Sequence, residues 1–177
     1  MDLRKTALAS HRLSLTAFAP ADAADVFAAV TPTLTRFMAF EPSPSLATFA
    51  DIWKAWLPQM AAGAELFLVL RLKPSGEFLG IAGLHALDNP EPETGIWIKE
   101  SAHGLGYGRE AVATAIAWAA RELGAQAFIY PVVEENGRSR RLAESLGGVV
   151  VGTRRLRKSA IEYPEVVYRI PCPIRRS

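Results

Sequence analysis

Gly104, Gly106 and Gly108 fall at alternate positions between a short alternating run and a long amphipathic one, and that juncture limits what the chain can become. Upstream, residues 93–99 read as a strand. Downstream, Val112, Ala115, Ile116, Ala119 and Leu123 recur at the i, i+3/i+4 spacing of a helix packed by one face, which ends near Leu123-Gly124. The glycines let backbone N–H groups turn toward a ligand with no Cβ in the way. The helix start behind them is electropositive, so the loop suits a pyrophosphate. Its spacing is G-x-G-x-G, not the G-x-G-x-x-G of a dinucleotide site, and no Lys-Ser/Thr follows as in a P-loop. Taken alone, the loop fits a phosphate cradle or a tight turn with no ligand.

The surrounding pattern alternates between strand and helix periods. Residues 12–18 place Leu13, Leu15 and Ala17 on one side, a first strand. Asp22 is a good N-cap for a short helix over 23–30, which Thr31-Pro32 ends. A second helix starts near Ser45, carries Phe49, Ile52, Trp53, Trp56 and Leu57 at helical spacing, and closes at Gly63, with Pro58 placed to kink or divide it. Residues 65–72 and 77–84 form a hairpin around the turn at 73–76. After the strand at 93–99, the glycine loop and its helix come a strand over 127–133 interrupted by Pro131, a helix over 137–146 capped by Gly147-Gly148, and strands over 149–156 and 166–170. The expected order is β-α-α-β-β-β-α-β-α-β-β, a mixed α/β domain over 12–170, with residues 1–11 and 171–177 as loose termini.

The 177 residues suffice for one domain with a sizeable core. Half are apolar and 21% charged, the balance of a globular chain. A net charge of +2 is too small to argue for nucleic acid. One cysteine, Cys172, allows neither an internal disulfide nor a multi-cysteine metal framework, which makes a reducing cytoplasm the default setting. The three histidines lack ligand spacing, so no metal is expected. No apolar run approaches a membrane span, and no secretory signal is visible at the start.

Three motifs in order give the chain a family likeness. They are Glu93-Thr94-Gly95-Ile96-Trp97-Ile98, then Gly104-Leu105-Gly106-Tyr107-Gly108 with Glu110-Ala111, then Glu135-Asn136 with Ser139, Arg141-Leu142 and Leu146-Gly147. E-x-G-x-W-I, G-x-G-x-G-x-E-A and E-N-x-x-S-x-R-L-x-x-x-L-G together resemble the GNAT superfamily, in particular its RimJ/RimL-like branch of ribosomal-protein N-terminal acetyltransferases. Arg12-Leu13, Asp22-Ala23 and Arg36-Phe37-Met38 fit the same branch. The resemblance implies the GNAT fold: a mixed, mostly antiparallel sheet flanked by helices and splayed between its fourth and fifth strands, here 93–99 and 127–133. A proline lacks a ladder donor, and at such a splay the loss costs little, which accounts for Pro131.

The resemblance also implies acetyl-CoA as acyl-donor co-substrate and an amine as acceptor, either a protein N-terminus or a small molecule. The loop His103, Gly104, Leu105, Gly106, Tyr107, Gly108 and Arg109 would hold the pyrophosphate. Backbone groups of Trp97, Ile98 and Lys99 would bind the pantetheine arm, and Asn136 would hydrogen-bond it. Arg138 and Arg141 could meet CoA phosphates, whereas Arg140 reads as a solvated helix face. His103 departs from the family's usual Gln or Arg, Arg109 stands where a small polar residue is common, and Gly148 replaces an aromatic, which should loosen packing there.

Acyl transfer needs a neutral amine, donors for the oxyanion and a proton for the thiolate. Glu93 is the candidate base, acting through water, and is otherwise a surface glutamate. Ser139 is the candidate on the sulfur side, and is otherwise a first-turn serine. Arg154, Arg155, Arg157 and Lys158 read as a solvated hairpin run. His85 could line the acceptor end of the cleft or be structural. A homodimer follows by analogy alone. The reading from a different class is a non-catalytic acetyl-CoA-binding or sensing domain.

Overall fold

The computed structural model describes residues 1–173. Its elements run β1 (Ala7–Ala9), β2 (Leu13–Ala17), α1 (Ala23–Ala29), α2 (Pro32–Thr35), α3 (Leu46–Ala62), β3 (Leu66–Leu72), β4 (Phe78–His85), β5 (Glu93–Ile98), α4 (Tyr107–Glu122), β6 (Ala127–Val133), α5 (Gly137–Ser145), β7 (Val149–Lys158) and β8 (Ile161–Pro171). The strands form one sheet in the order β1-β2-β3-β4-β5-β6-β8-β7. Every neighbouring pair is antiparallel except β5 and β6, which are parallel.

Local chemistry sets the helix limits. Ser45 caps α3 by accepting a bond from the Thr48 N–H at 3.1 Å, and Gly63 closes it at φ +80. Pro58 lies inside α3 without dividing it; the residue is exposed, and water can serve the carbonyl its missing N–H leaves free. α4 packs beneath the sheet through buried Ala111, Val112, Ala115, Ile116 and Ala119, with Gly108 close to the side chains of Ile96 and Ile98. The opposite face belongs to α3, where Trp56 stacks on Phe67 of β3 at 4.3 Å. In register with Phe67 lie Gly83 of β4 and Gly95 of β5, so this second face carries the odd-numbered residues of β5.

The sheet opens between β5 and β6. Their one register pair is Glu93 with Ile129, where the Ile129 N–H donates to the Pro92 carbonyl at 2.9 Å. Since N–H groups two apart on a strand point the same way, position 131 also faces β5. A proline there gives up a bond that the diverging strands would not have made, while its other edge stays in register with Val167 of β8. The expected splay is thus present, between what are now the fifth and sixth strands.

Two elements escaped the periodic reading. Ala7–Ala9 adds β1 to the sheet edge, and Leu3 is fully buried, so residues 1–11 are not a loose lead-in. Pro32 starts a helix as well as ending one, because the Thr31 hydroxyl caps α2 through the Leu34 N–H. Ile52, placed on the apolar stripe of α3, is 44% exposed. At the other end Pro171 belongs to β8 and the Cys172 N–H donates to the Gln126 carbonyl at 3.1 Å, so the expected loose tail does not begin at 171; residues 174–177 lie outside the described residues.

Candidate active site

The splay continues into a cleft of roughly 390 Å³. β5 and β6 form its walls. Gly83 and Gly95 are part of its floor, the segment Phe37, Met38 and Phe40 covers one end, and Arg154 and Glu165 reach in from β7 and β8.

On β5, residues 92 and 129 meet across the sheet, so even-numbered backbone groups face the gap. The Lys99 N–H is bonded to the Leu79 carbonyl at 2.7 Å, and the Trp97 carbonyl lies against Gly80 of β4. The backbone available to an inserted ligand is therefore that of Ile96 and the N–H of Ile98, whose carbonyl is taken by His103, whereas Trp97 lines the cleft by its position on the floor side and Lys99 turns its amine to Glu77 at 2.6 Å. Ile96 was not anticipated; the parity of β5 against β4 would have pointed to it.

The glycine loop keeps its shape by two routes. Gly104 and Gly106 sit at φ +78 and +79, conformations that a side chain disfavours. From behind, the Arg12 guanidinium donates to the Leu105 carbonyl at 2.9 Å, lies 4.5 Å over the Tyr107 ring, and pairs with Glu110 at 2.7 Å. The Glu110 carboxylate also accepts from the Arg12 N–H and the Ser10 hydroxyl. Burial works against its charge, but these three bonds outweigh burial and hold its pKa down at about 2. Glu110 thus faces away from the loop mouth. The first α4 bond runs from the Glu110 N–H to the Gly106 carbonyl, so Tyr107, Gly108 and Arg109 present N–H groups with no acceptor in the helix. That is the arrangement an anionic phosphate needs.

His103, whose role the sequence left open, is a strut. Its Nε2 meets the Ile98 carbonyl at 2.6 Å and its Nδ1 faces the Arg138 guanidinium at 3.1 Å. Because arginine can only donate, Nδ1 accepts and Nε2–H donates. The ring joins the end of β5 to the start of α5. Arg109 donates to the Ser145 carbonyl at 3.3 Å, and Arg141 folds back against Gly137. Arg140 bonds the Tyr168 hydroxyl at 3.0 Å, and is thereby a packing residue rather than a solvated one. Gly148 does not loosen the chain: a Cβ there would lie 2.7 Å from the Ala143 carbonyl oxygen, which accepts from the Gly148 N–H.

At the start of α5, the Asn136 side-chain oxygen accepts from the Ser139 N–H at 3.2 Å, a helix cap that leaves the amide NH₂ for a ligand. The Ser139 hydroxyl lies 2.8 Å from the hydroxyl of Tyr130. Tyr130 is 2% exposed, and burial pushes its pKa up to about 12 despite the bond to Ser139. The phenol therefore stays protonated at neutral pH. Its place in the site was missed because the pairing joins a strand to a helix; a tyrosine inside a buried strand needs a partner for its hydroxyl, and that was the usable signal.

At the acceptor end, Glu93 receives both nitrogens of the Arg154 fork, at 2.8 and 3.2 Å, and the Arg154 Nε donates to buried Glu165 at 2.6 Å. Burial pulls the arginine's pKa down, but the two carboxylates outweigh it and hold it above the usual arginine value. Lys158 is 8% exposed and donates to the Thr35 carbonyl at 2.7 Å. The expected solvated run of Arg154 and Lys158 is thus corrected: the β7–β8 hairpin lies against α2 and β5, and these side chains tie it there. Arg155 pairs with Glu162 on the exposed side.

A family model described as an acetyltransferase (GNAT) domain matches residues 12–149. No curated protein matches. Solved structures that share the fold include an acetyltransferase of the GNAT family from Bacillus anthracis, TM-score 0.81 and 16% identical over 94% of this chain and 98% of that one. The spermidine N-acetyltransferase from Vibrio cholerae, solved with CoA and spermine, has a TM-score of 0.79 and is 18% identical over 92% and 97%. Mycobacterium smegmatis RimJ, solved with CoA-disulfide, has a TM-score of 0.79 and is 17% identical over 90% and 81%.

Proposed function

The chain belongs to the GNAT acetyltransferase family and is an acyl-CoA-dependent N-acetyltransferase with acetyl-CoA as donor; from that premise we propose that it acetylates a primary α-amine, as the RimJ/RimL-like branch does, in the cleft between β5 and β6. The observation that carries this reading is the cleft itself, open to backbone bonds on one wall and lined by the hydroxyl pair of buried Tyr130 and half-buried Ser139 and by the carboxylates of Glu93 and Glu165.

The donor's phosphates meet the N–H groups of 104–109, and its arm lies along Ile96 and Ile98 with Asn136 opposite. The single domain over 12–170 supplies all of these groups. As the thioester breaks, Ser139 gives its hydroxyl proton to the departing sulfur, with the protonated Tyr130 hydroxyl hydrogen-bonded beside it. Glu93 stands at the amine side. Its oxygens are occupied by Arg154 but keep lone pairs for a water, and its charge favours an approaching ammonium. An α-amine suits this site because its pKa of about 7.7–8.0 makes the neutral form far more accessible than a lysine amine at about 10.4. Family analogy carries a homodimer, and the single cysteine carries a cytoplasmic setting.

The test is release of free thiol from acetyl-CoA with two acceptor classes, short peptides with free N-termini and linear polyamines. Faster turnover with peptides supports the α-amine reading. Turnover confined to polyamines moves the assignment to a small-molecule acceptor on the same cleft.

A further inference from the structure

The cleft floor holds a pair that the roles above leave unused. His85 ends β4 and is the register partner of Glu93 on β5, so both side chains rise from the same face. The His85 Nδ1 is bonded to Glu65 Oε2, while Glu65 Oε1 accepts from the Ala86 N–H at 3.5 Å. Phe67 meets the imidazole edge-on, with ring centroids 5.6 Å apart at 70°. The ring leans back over Gly83: a Cβ at that position would stand 2.6 Å from Nε2. Gly95, the register partner of Gly83, has open space above it. Ala86 follows at φ +54, a conformation costly for a residue with a side chain. A glycine floor, an aromatic edge and an anchored carboxylate thus hold one imidazole nitrogen over Gly83 on the cleft floor.

We infer, on the acetyl-transfer reading above, that His85 takes the acceptor's proton and that Glu65 positions it for this. A carboxylate on Nδ1 keeps the proton of the neutral ring on that nitrogen and leaves the Nε2 lone pair facing the cleft. Glu93 lacks this arrangement, since Arg154 occupies both its oxygens. The ammonium gives one proton to Nε2. The freed nitrogen lone pair forms the C–N bond at the thioester carbonyl, and the C–S bond breaks with its electron pair on sulfur. The sulfur takes the Ser139 proton, and the nitrogen's second proton returns to the Ser139 oxygen, leaving an amide, a thiol, an intact serine hydroxyl and one proton on His85 for release to solvent. Glu65, just before β3, bonds the imidazole, and the charged groups that share the cleft lining with it are Glu93 on β5, Arg154 on β7 and Glu165 on β8.

The experiment measures turnover against pH for the full chain and for His85→Gln, Glu65→Gln and His85→Ala, with thermal unfolding in acetyl-CoA as the control on folding and donor binding. His85→Gln is expected to lower kcat about 100-fold, within the range for loss of a general base, and to abolish the fall in rate on the acid side while keeping the acetyl-CoA stabilisation. Glu65→Gln shifts that acid limb, and added imidazole restores part of the rate to His85→Ala. Wild-type kcat and acid limb in His85→Gln overturn the role of His85 and leave acetyl transfer standing. No acetyl-CoA stabilisation of the wild type overturns both.

Discussion

Tyr130 and Ser139 show how burial turns an ordinary hydroxyl into part of a site. The phenol is enclosed in β6 with its pKa pushed up to about 12, so it remains protonated beside Ser139. Ser139→Ala should reduce kcat by about 10²-fold, and Tyr130→Phe by about 10-fold, the scale of a lost proton donor. The acetyl-CoA KM should stay nearly constant in both, because the proton is needed as the sulfur departs and not when the donor binds. Steady-state kinetics check this; equal loss of donor affinity would assign the pair to binding. Glu110 makes a prediction about stability. Its folded pKa is lowered from 4.5 to about 2, so its bonds contribute fully above pH 4.5 and are lost as pH falls toward 2. Thermal unfolding of wild type and Glu110→Gln should therefore differ by a constant amount from pH 7 to 5, with the difference shrinking as pH falls from 4.5 toward about 2. Single residues were the least legible part of the chain. Glu93 and Ser139 could be singled out by motif, but His85 and Glu65 stand 20 positions apart and Arg154 and Glu93 stand 61 apart, separations that no periodicity spans.

The elements were more legible because their signals are local. Ser45 and Gly63 bound α3 as their capping chemistry requires, and Gly104 and Gly106 separate β5 from α4. What failed was length: three residues of β1 and four of α2 are too short to show a period, and each exists through partners elsewhere. At the start of α5 the Asn136 oxygen caps the helix, and on the proposed reading its NH₂ serves the donor. The two roles can be separated. Asn136→Asp keeps a capping oxygen and should leave stability unchanged, yet it replaces the donor group with a charge and should weaken acetyl-CoA binding at least ten-fold. Asn136→Ala should lose both, with about 1 kcal/mol of stability. Calorimetry of acetyl-CoA binding alongside thermal unfolding distinguishes the two; tight binding by Asn136→Asp would remove the amide from the donor site.

At the scale of the molecule, the sheet is two ladders that share one register pair and then part. The opening would be a defect in a closed sheet, since it leaves backbone groups of Ile96 and Ile98 without strand partners. The flanking structure spans it: His103 and Arg138 link β5 to α5, Arg154 links β7 to β5, and Lys158 links β7 to α2. The splay was legible only through Pro131 and the family resemblance. The ties were not, because arginine and lysine in a hairpin look solvated until the hairpin is placed. Such a gap gains stability when a ligand supplies the missing bonds. A donor present at about 100 times its dissociation constant adds about 2.7 kcal/mol, which for a chain of this size raises Tm by roughly 5–10 °C. The decisive measurement is therefore thermal unfolding of the full chain with acetyl-CoA, beside NADH as a second pyrophosphate ligand. A rise of that size with acetyl-CoA and none with NADH is the predicted result. An unchanged Tm in millimolar acetyl-CoA would contradict the donor site, and the glycine loop would then be a turn that binds nothing.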